Sequence, residues 1–91
     1  MIGIFGAGVV GSRVAESLSL NLQTEIGVFD SSQIIAQRLA RRLHLTNSNI
    51  SAVDEKIINS SKVVVIAGPS PHTEIARAFL EKKISVVSTS D

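Results

Sequence analysis

The sequence predicts an α/β fold: a parallel sheet of four to five strands in the order 3-2-1-4-5, with helices on both faces. Three observations carry that expectation. Short apolar runs at residues 2–6, 24–30, 62–67 and 84–89 alternate with stretches of helical periodicity. The chain is 44% hydrophobic but only 3% aromatic, so its core is aliphatic, as suits a parallel sheet buried on both faces. Gly6, Gly8 and Gly11 punctuate the junction between the first run and the first helical stretch. Right-handed crossovers then put strand one between strands two and four, with the glycines at the point where the winding reverses.

The elements follow in order. Strand one is 2–6, and helix one runs from about Val9 to Leu20, with Val10, Val14 and Leu18 expected inward and Arg13 and Glu16 outward. Strand two is 24–30. Helix two spans about Ser32 to Leu43, with Ile35, Leu39 and Leu43 in one apolar line and Ala36 and Ala40 beside it. Arg38, Arg41 and Arg42 decorate its outside, read as a solvated face rather than a phosphate grip. A polar, turn-rich segment follows, then a short third strand at 50–53 and a brief helix or turn capped by Asp54. Residues 62–67, continuously apolar and β-branched, form a central strand four. Gly68-Pro69-Ser70-Pro71 breaks it, with Ser70 as N-cap and Pro71 as first residue of helix four. That helix reaches about Lys83, with Ile75, Ala76, Phe79 and Leu80 inward, and 84–89 is strand five.

The chemistry concentrates in Gly6-Ala7-Gly8-Val9-Val10-Gly11, a G-x-G-x-x-G between strand and helix. Gly6 turns the chain off the strand, Gly8 leaves room for phosphate oxygens against the backbone, and Gly11 lets the helix pack closely. The helix N-terminus supplies free N–H groups and a positive dipole end for an anion. This is the pyrophosphate cradle of a Rossmann-like three-layer domain. The competing reading is three glycines serving turns and packing alone. Asp30 closes strand two where such a fold places the acid that accepts hydrogen bonds from the adenosine ribose; its alternative role is helix capping. A carboxylate there repels a 2′-phosphate and no arginine follows at once, so NAD is expected, with NADP possible because Ser31 and Ser32 tolerate a phosphate.

Ninety-one residues make at most one small domain. A formal charge of +1 gives no electrostatic reason to expect nucleic acid or an anionic membrane as partner. Without cysteine there are no disulfides or thiolates, and His44 has no second ligand at metal spacing, so no metal site is expected. No apolar stretch is long enough to span a bilayer, and a soluble, cytoplasmic protein is expected.

With its glycine loop, Val28-Phe29-Asp30, and the final third, Val63-Val64-Val65-Ile66-Ala67-Gly68-Pro69, Ile75-Ala76-Arg77-Ala78-Phe79-Leu80 and Val86-Val87-Ser88-Thr89-Ser90-Asp91, the chain resembles the N-terminal NAD(P)-binding domain of saccharopine dehydrogenase-like oxidoreductases. It is also similar to the cofactor domains of glucose–fructose oxidoreductase-type and aspartate or homoserine dehydrogenases, the former through Ala67-Gly68-Pro69 and His72-Thr73-Glu74-Ile75-Ala76. The resemblance implies that Ala67, Gly68, Pro69 and Ser70 line the nicotinamide-ribose side of the site. His72 is the one acid–base candidate nearby, set against a plain role as a polar residue in the first turn of helix four. Glucose–fructose oxidoreductase-like enzymes carry a Glu-Lys-Pro after strand five; Ser88-Thr89-Ser90-Asp91 stands here instead.

The expectation is therefore a cofactor domain that holds NAD(P) for hydride transfer. The sixth strand and the substrate domain are absent from these residues, so no activity is expected from the chain alone. The alternative is a non-enzymatic module sensing NAD(H) or an adenine nucleotide. Strand five ends the sheet with an exposed apolar edge, which invites self-association or docking of a missing segment; a separate catalytic domain is the other partner expected.

Overall fold

The computed structural model describes residues 1–21, 23–67 and 72–89. Its strands are β1 (Ile2–Phe5), β2 (Ile26–Phe29), β3 (Ile50–Ala52), β4 (Val63–Ile66) and β5 (Ser85–Ser88). Its helices are α1 (Val9–Asn21), α2 (Gln33–His44), the single-turn α3 (Glu55–Ile58) and α4 (His72–Glu81). All five strands form one parallel sheet in the order β3-β2-β1-β4-β5. The short third strand is real, pairing Ile50 with Ile26 and Ala52 with Val28.

Strand alternation sorts the core into two layers. Ile4, Ile26, Val28 and Ile50 pack with Ala15, Ala36, Leu39 and Leu43 of α1 and α2 on one face. Val64 and Ile66 pack with Ile58 and Phe79 of α3 and α4 on the other, where Phe5, Phe29 and Val86 also contribute. The chain's three phenylalanines meet there: Phe5 lies 5.1 Å from Phe29 and 5.7 Å from Phe79 between ring centroids, the latter pair edge-to-face. Two ring contacts thus join the carboxyl ends of β1 and β2 to α4.

Three expected inward residues face outward, each for a packing reason. In α1 the buried row is Gly11, Ala15 and Ser19, while Val10 is exposed and Val14 and Leu18 only flank the core. Small residues take the closest row because Gly11 draws the helix onto the loop below it. In α2, Ala36, Leu39, Ala40 and Leu43 face the sheet and Ile35 is exposed. In α4, Phe79 is buried with Ile75 and Ala76 packed beside it, and Leu80 is 57% exposed.

Helix ends are set by local hydrogen bonds. The Ser32 hydroxyl accepts from the Ile35 N–H at 3.5 Å, and the Asp54 carboxylate accepts from the Ile57 N–H at 2.8 Å, making each an N-cap. The α4 helix ends in a turn in which the Ile84 N–H reaches the Phe79 carbonyl at 3.1 Å across Lys83, whose φ is 63°. No helix among the described residues is long and apolar enough to cross a membrane.

Candidate dinucleotide site

The three glycines of the loop do three different things. Gly6 has φ 113°, a conformation that side-chain-bearing residues rarely adopt, and its N–H donates to the Phe29 carbonyl at 2.7 Å. The chain therefore leaves β1 sharply while still tied to β2. A Cβ on Gly11 would lie 1.8 Å from the Gly6 carbonyl oxygen, so helix and loop are in direct backbone contact. A Cβ on Gly8 would meet nothing within 4 Å. The loop is closed behind and open in front, and the open face is the start of α1.

That start suits an anion. The first turn of α1 contains no acidic residue, and the Gly8 carbonyl accepts the first helical hydrogen bond from Ser12 N–H at 2.8 Å. The N–H groups of the opening turn have no intrahelical acceptors, and they carry the positive end of the helix dipole. Val9 and Val10 are exposed at this mouth. The residues present fit a pyrophosphate: a backbone surface with room at Gly8 and donors behind it.

Asp30 plays a part that its spacing did not announce. One carboxylate oxygen accepts from the Ala7 N–H and the other from the Ser32 N–H, both at 2.8 Å. The acid therefore fastens the end of β2 to the glycine loop and begins the turn into α2. It does not cap α2 itself, because Ser32 does. A carboxylate offers about four lone-pair sites, so two backbone donors leave acceptor capacity for ribose hydroxyls.

A pocket of about 200 Å³ opens beside Asp30, between α2 and the end of β3. Gln33, Gln37, Ala52 and Asp54 line it, with two carboxylates, two amides and no basic residue. Gln33 and Gln37, four residues apart on α2, and Asp54, the α3 cap, join Asp30 around this pocket; only the glutamine spacing marks them in the sequence. Ser31 is exposed at the turn above.

On the other flank of α2, Arg38 and Arg42 border a second groove of about 340 Å³ with Ala7 and Ser12. Arg42 lies 3.6 Å from Glu16 of α1, with both side chains about half exposed. Arg41 does not line this groove.

On the nicotinamide side of the expected site, Ala67 is buried, its N–H donating to the Phe5 carbonyl at 2.9 Å. Its Cβ would lie 3.6 Å from a Cβ on Gly11, so the end of β4 abuts the glycine loop. Gly68, Pro69 and Ser70 lie outside the described residues. His72 is buried, with Nδ1 2.7 Å from the Ser88 hydroxyl at the end of β5. The first turn of α4 is thereby bound to the end of β5.

Residues 2–91 match the family model of the saccharopine dehydrogenase NADP binding domain. The chain belongs to that family. Among solved structures, quinate dehydrogenase from Corynebacterium glutamicum in complex with NAD is similar at 30% identity and a TM-score of 0.67, over 75% of this chain and 26% of that one. A lactate dehydrogenase from a Medee basin deep-sea metagenome library is similar at a TM-score of 0.74 over 97% of this chain and 37% of that one; at 18% identity it shows the shared fold. The chain spans well under two thirds of either relative. No curated protein sequence matches it. Family and geometry agree on a nicotinamide-dinucleotide-binding domain of the kind that oxidoreductases carry.

Proposed function

We propose that this domain holds NAD for hydride transfer in a saccharopine dehydrogenase-like oxidoreductase, with substrate and proton-transfer groups supplied by a separate domain. The observation that carries the reading is the open backbone face at Gly8, at the start of α1, where a Cβ would touch nothing. When bound, the cofactor supplies a nicotinamide that accepts or releases a hydride. The chain's own residues bind and orient it. Backbone N–H groups of the loop and of α1 hold the pyrophosphate, and Asp30 receives the adenosine ribose hydroxyls. Ala67, with Gly68, Pro69 and Ser70, borders the nicotinamide ribose.

The preference for NAD rests on charge. The pocket beside Asp30 is lined by two acids and no base, so a 2′-phosphate entering it meets repulsion without a partner. A second reading, NADP, draws on the family's printed description and on Arg38 and Arg42 bordering the opposite flank of α2. Calorimetric titration with NAD⁺, NADH, NADP⁺ and AMP separates these readings. NAD(H) binding in the micromolar range, tighter than NADP⁺ and AMP, is expected. NADP⁺ binding more tightly, and weakened by Arg38→Ala, would establish the second reading. AMP binding as tightly as NAD⁺ would point to a nucleotide sensor instead. No binding by any of the four would overturn the cofactor assignment.

A further inference from the structure

Ser12, in the first turn of α1, holds the glycine loop in a way that helix geometry alone does not require. A serine inside a helix ordinarily turns its hydroxyl to the carbonyl four residues back. The carbonyl in that position here, Gly8, accepts from the Ser12 N–H at 2.8 Å. The Ser12 hydroxyl reaches one residue further and donates to the Ala7 carbonyl at 3.3 Å. Ala7 precedes the helix, and among the described residues no backbone N–H donates to its carbonyl. Ser12 thus takes both neighbouring loop carbonyls, Ala7 with its side chain and Gly8 with its main chain.

Peptide planarity turns that hold into an orientation of donors. In a trans peptide the C=O and N–H of one plane point in opposite directions. The Ala7 carbonyl shares its plane with the Gly8 N–H, and the Gly8 carbonyl shares the next plane with the Val9 N–H. With both carbonyls drawn toward the body of α1, both N–H groups point out of its start, side by side. The plane before Ala7 is fixed as well, because the Ala7 N–H donates to the Asp30 carboxylate at 2.8 Å. The Gly6 carbonyl then faces the other way, where it abuts Gly11. Asp30 and Ser12 therefore clamp the two peptide planes that meet at Ala7.

We propose that Ser12 is a positioning residue for the pyrophosphate: by holding the Ala7 carbonyl it aims the Gly8 N–H at the bound phosphate. The inference rests on the cofactor reading above. Gly8 is what makes such a pin necessary. Glycine accepts either sign of φ, so the Ala7–Gly8 plane can turn over without steric opposition from Gly8. A Cβ on Gly8 would meet nothing within 4 Å, so no neighbouring group blocks that rotation either. The residue that leaves room for the phosphate leaves its own N–H free to point elsewhere, and the Ser12 hydroxyl supplies the missing constraint.

Titration of the isotope-labelled chain with NAD⁺, followed by nuclear magnetic resonance, tests it. In the wild type the Gly8 amide proton is expected to move downfield at saturation as it enters a charge-assisted hydrogen bond. Ser12→Ala should weaken NAD⁺ by roughly three- to tenfold, the scale of one neutral hydrogen bond, and shrink the saturated Gly8 shift. Alanine is the better helix former, so this variant folds, as far-UV circular dichroism verifies. Ser12→Thr keeps the hydroxyl, and the groove of about 340 Å³ that Ser12 borders leaves room for the added methyl. Affinity and Gly8 shift should both return in it. A Ser12→Ala variant with wild-type affinity would overturn the proposal. So would one that binds more weakly yet keeps the full Gly8 shift, because the serine then only supports the fold. Ser12→Thr behaving like Ser12→Ala would also count against it. A wild-type chain that binds no NAD⁺ would instead overturn the cofactor reading, and this inference with it.

Discussion

At the scale of residues, the site rests on what each glycine touches. Gly11 is in backbone contact with Gly6, so Gly11→Ala forces α1 off the loop. We expect a loss of about 2–3 kcal/mol in urea unfolding, the usual scale for overpacking a closed site, with dinucleotide binding lost alongside. Asp30 is a subtler case because the proposed ribose contact would add to its bonds with the Ala7 and Ser32 N–H groups. Removing the side chain would free the Ala7 N–H as well as the ribose, so Asp30→Asn is the better probe: it keeps an acceptor and removes the charge. NAD⁺ is expected to weaken by roughly tenfold, the scale of a hydrogen bond to a charged group, while NADP⁺ loses less because repulsion of its 2′-phosphate is relieved. Equal losses for both cofactors in titration would mean that Asp30 acts only as a brace.

At the scale of elements, the helices show what the sequence made legible and what it did not. Periodicity located the three long helices, and the Asp54 cap marked a brief helix or turn where the single-turn α3 lies. Which edge of an apolar stripe faces the sheet was harder to read. Val10, Ile35 and Leu80 each lie at the margin of a stripe, and their exposure follows from how closely the helix sits on the sheet. For α1 the contact between Gly11 and Gly6 decides it, a pairing that spacing within the helix does not reveal. The Asp30–Ala7 hydrogen bond was hidden for the same reason, since it joins two loops that only the β1–β2 register brings together. The end of α4 yields a separate expectation. Lys83 adopts φ 63° where glycine pays no steric cost. Lys83→Gly is expected to raise stability by about 1 kcal/mol and leave cofactor affinity unchanged, as measured by chemical denaturation and titration. A destabilised variant would show that the lysine contributes more at that turn than its backbone costs.

At the scale of the whole molecule, parallel winding gathers the glycine loop, Asp30, Ala67 and His72 at the carboxyl end of one sheet. The strand order 3-2-1-4-5 was readable from the sequence because chain order and crossover handedness leave few alternatives. The cofactor class was readable because the glycine motif is a backbone requirement, not a side-chain constellation. The substrate was not readable, since the groups that recognise it are not among these motifs and the chain spans only part of its relatives.

The central claim is that the open face at Gly8 is where the pyrophosphate binds. Calorimetric titration of NAD⁺ into the wild-type chain and into Gly8→Val tests it most directly. Nothing lies within 4 Å of a Cβ at that position, so the variant should fold with unchanged stability. Its side chain fills the space that the phosphate oxygens need, and binding should fall below detection. A stably folded Gly8→Val variant that binds NAD⁺ as tightly as the wild type would contradict the account.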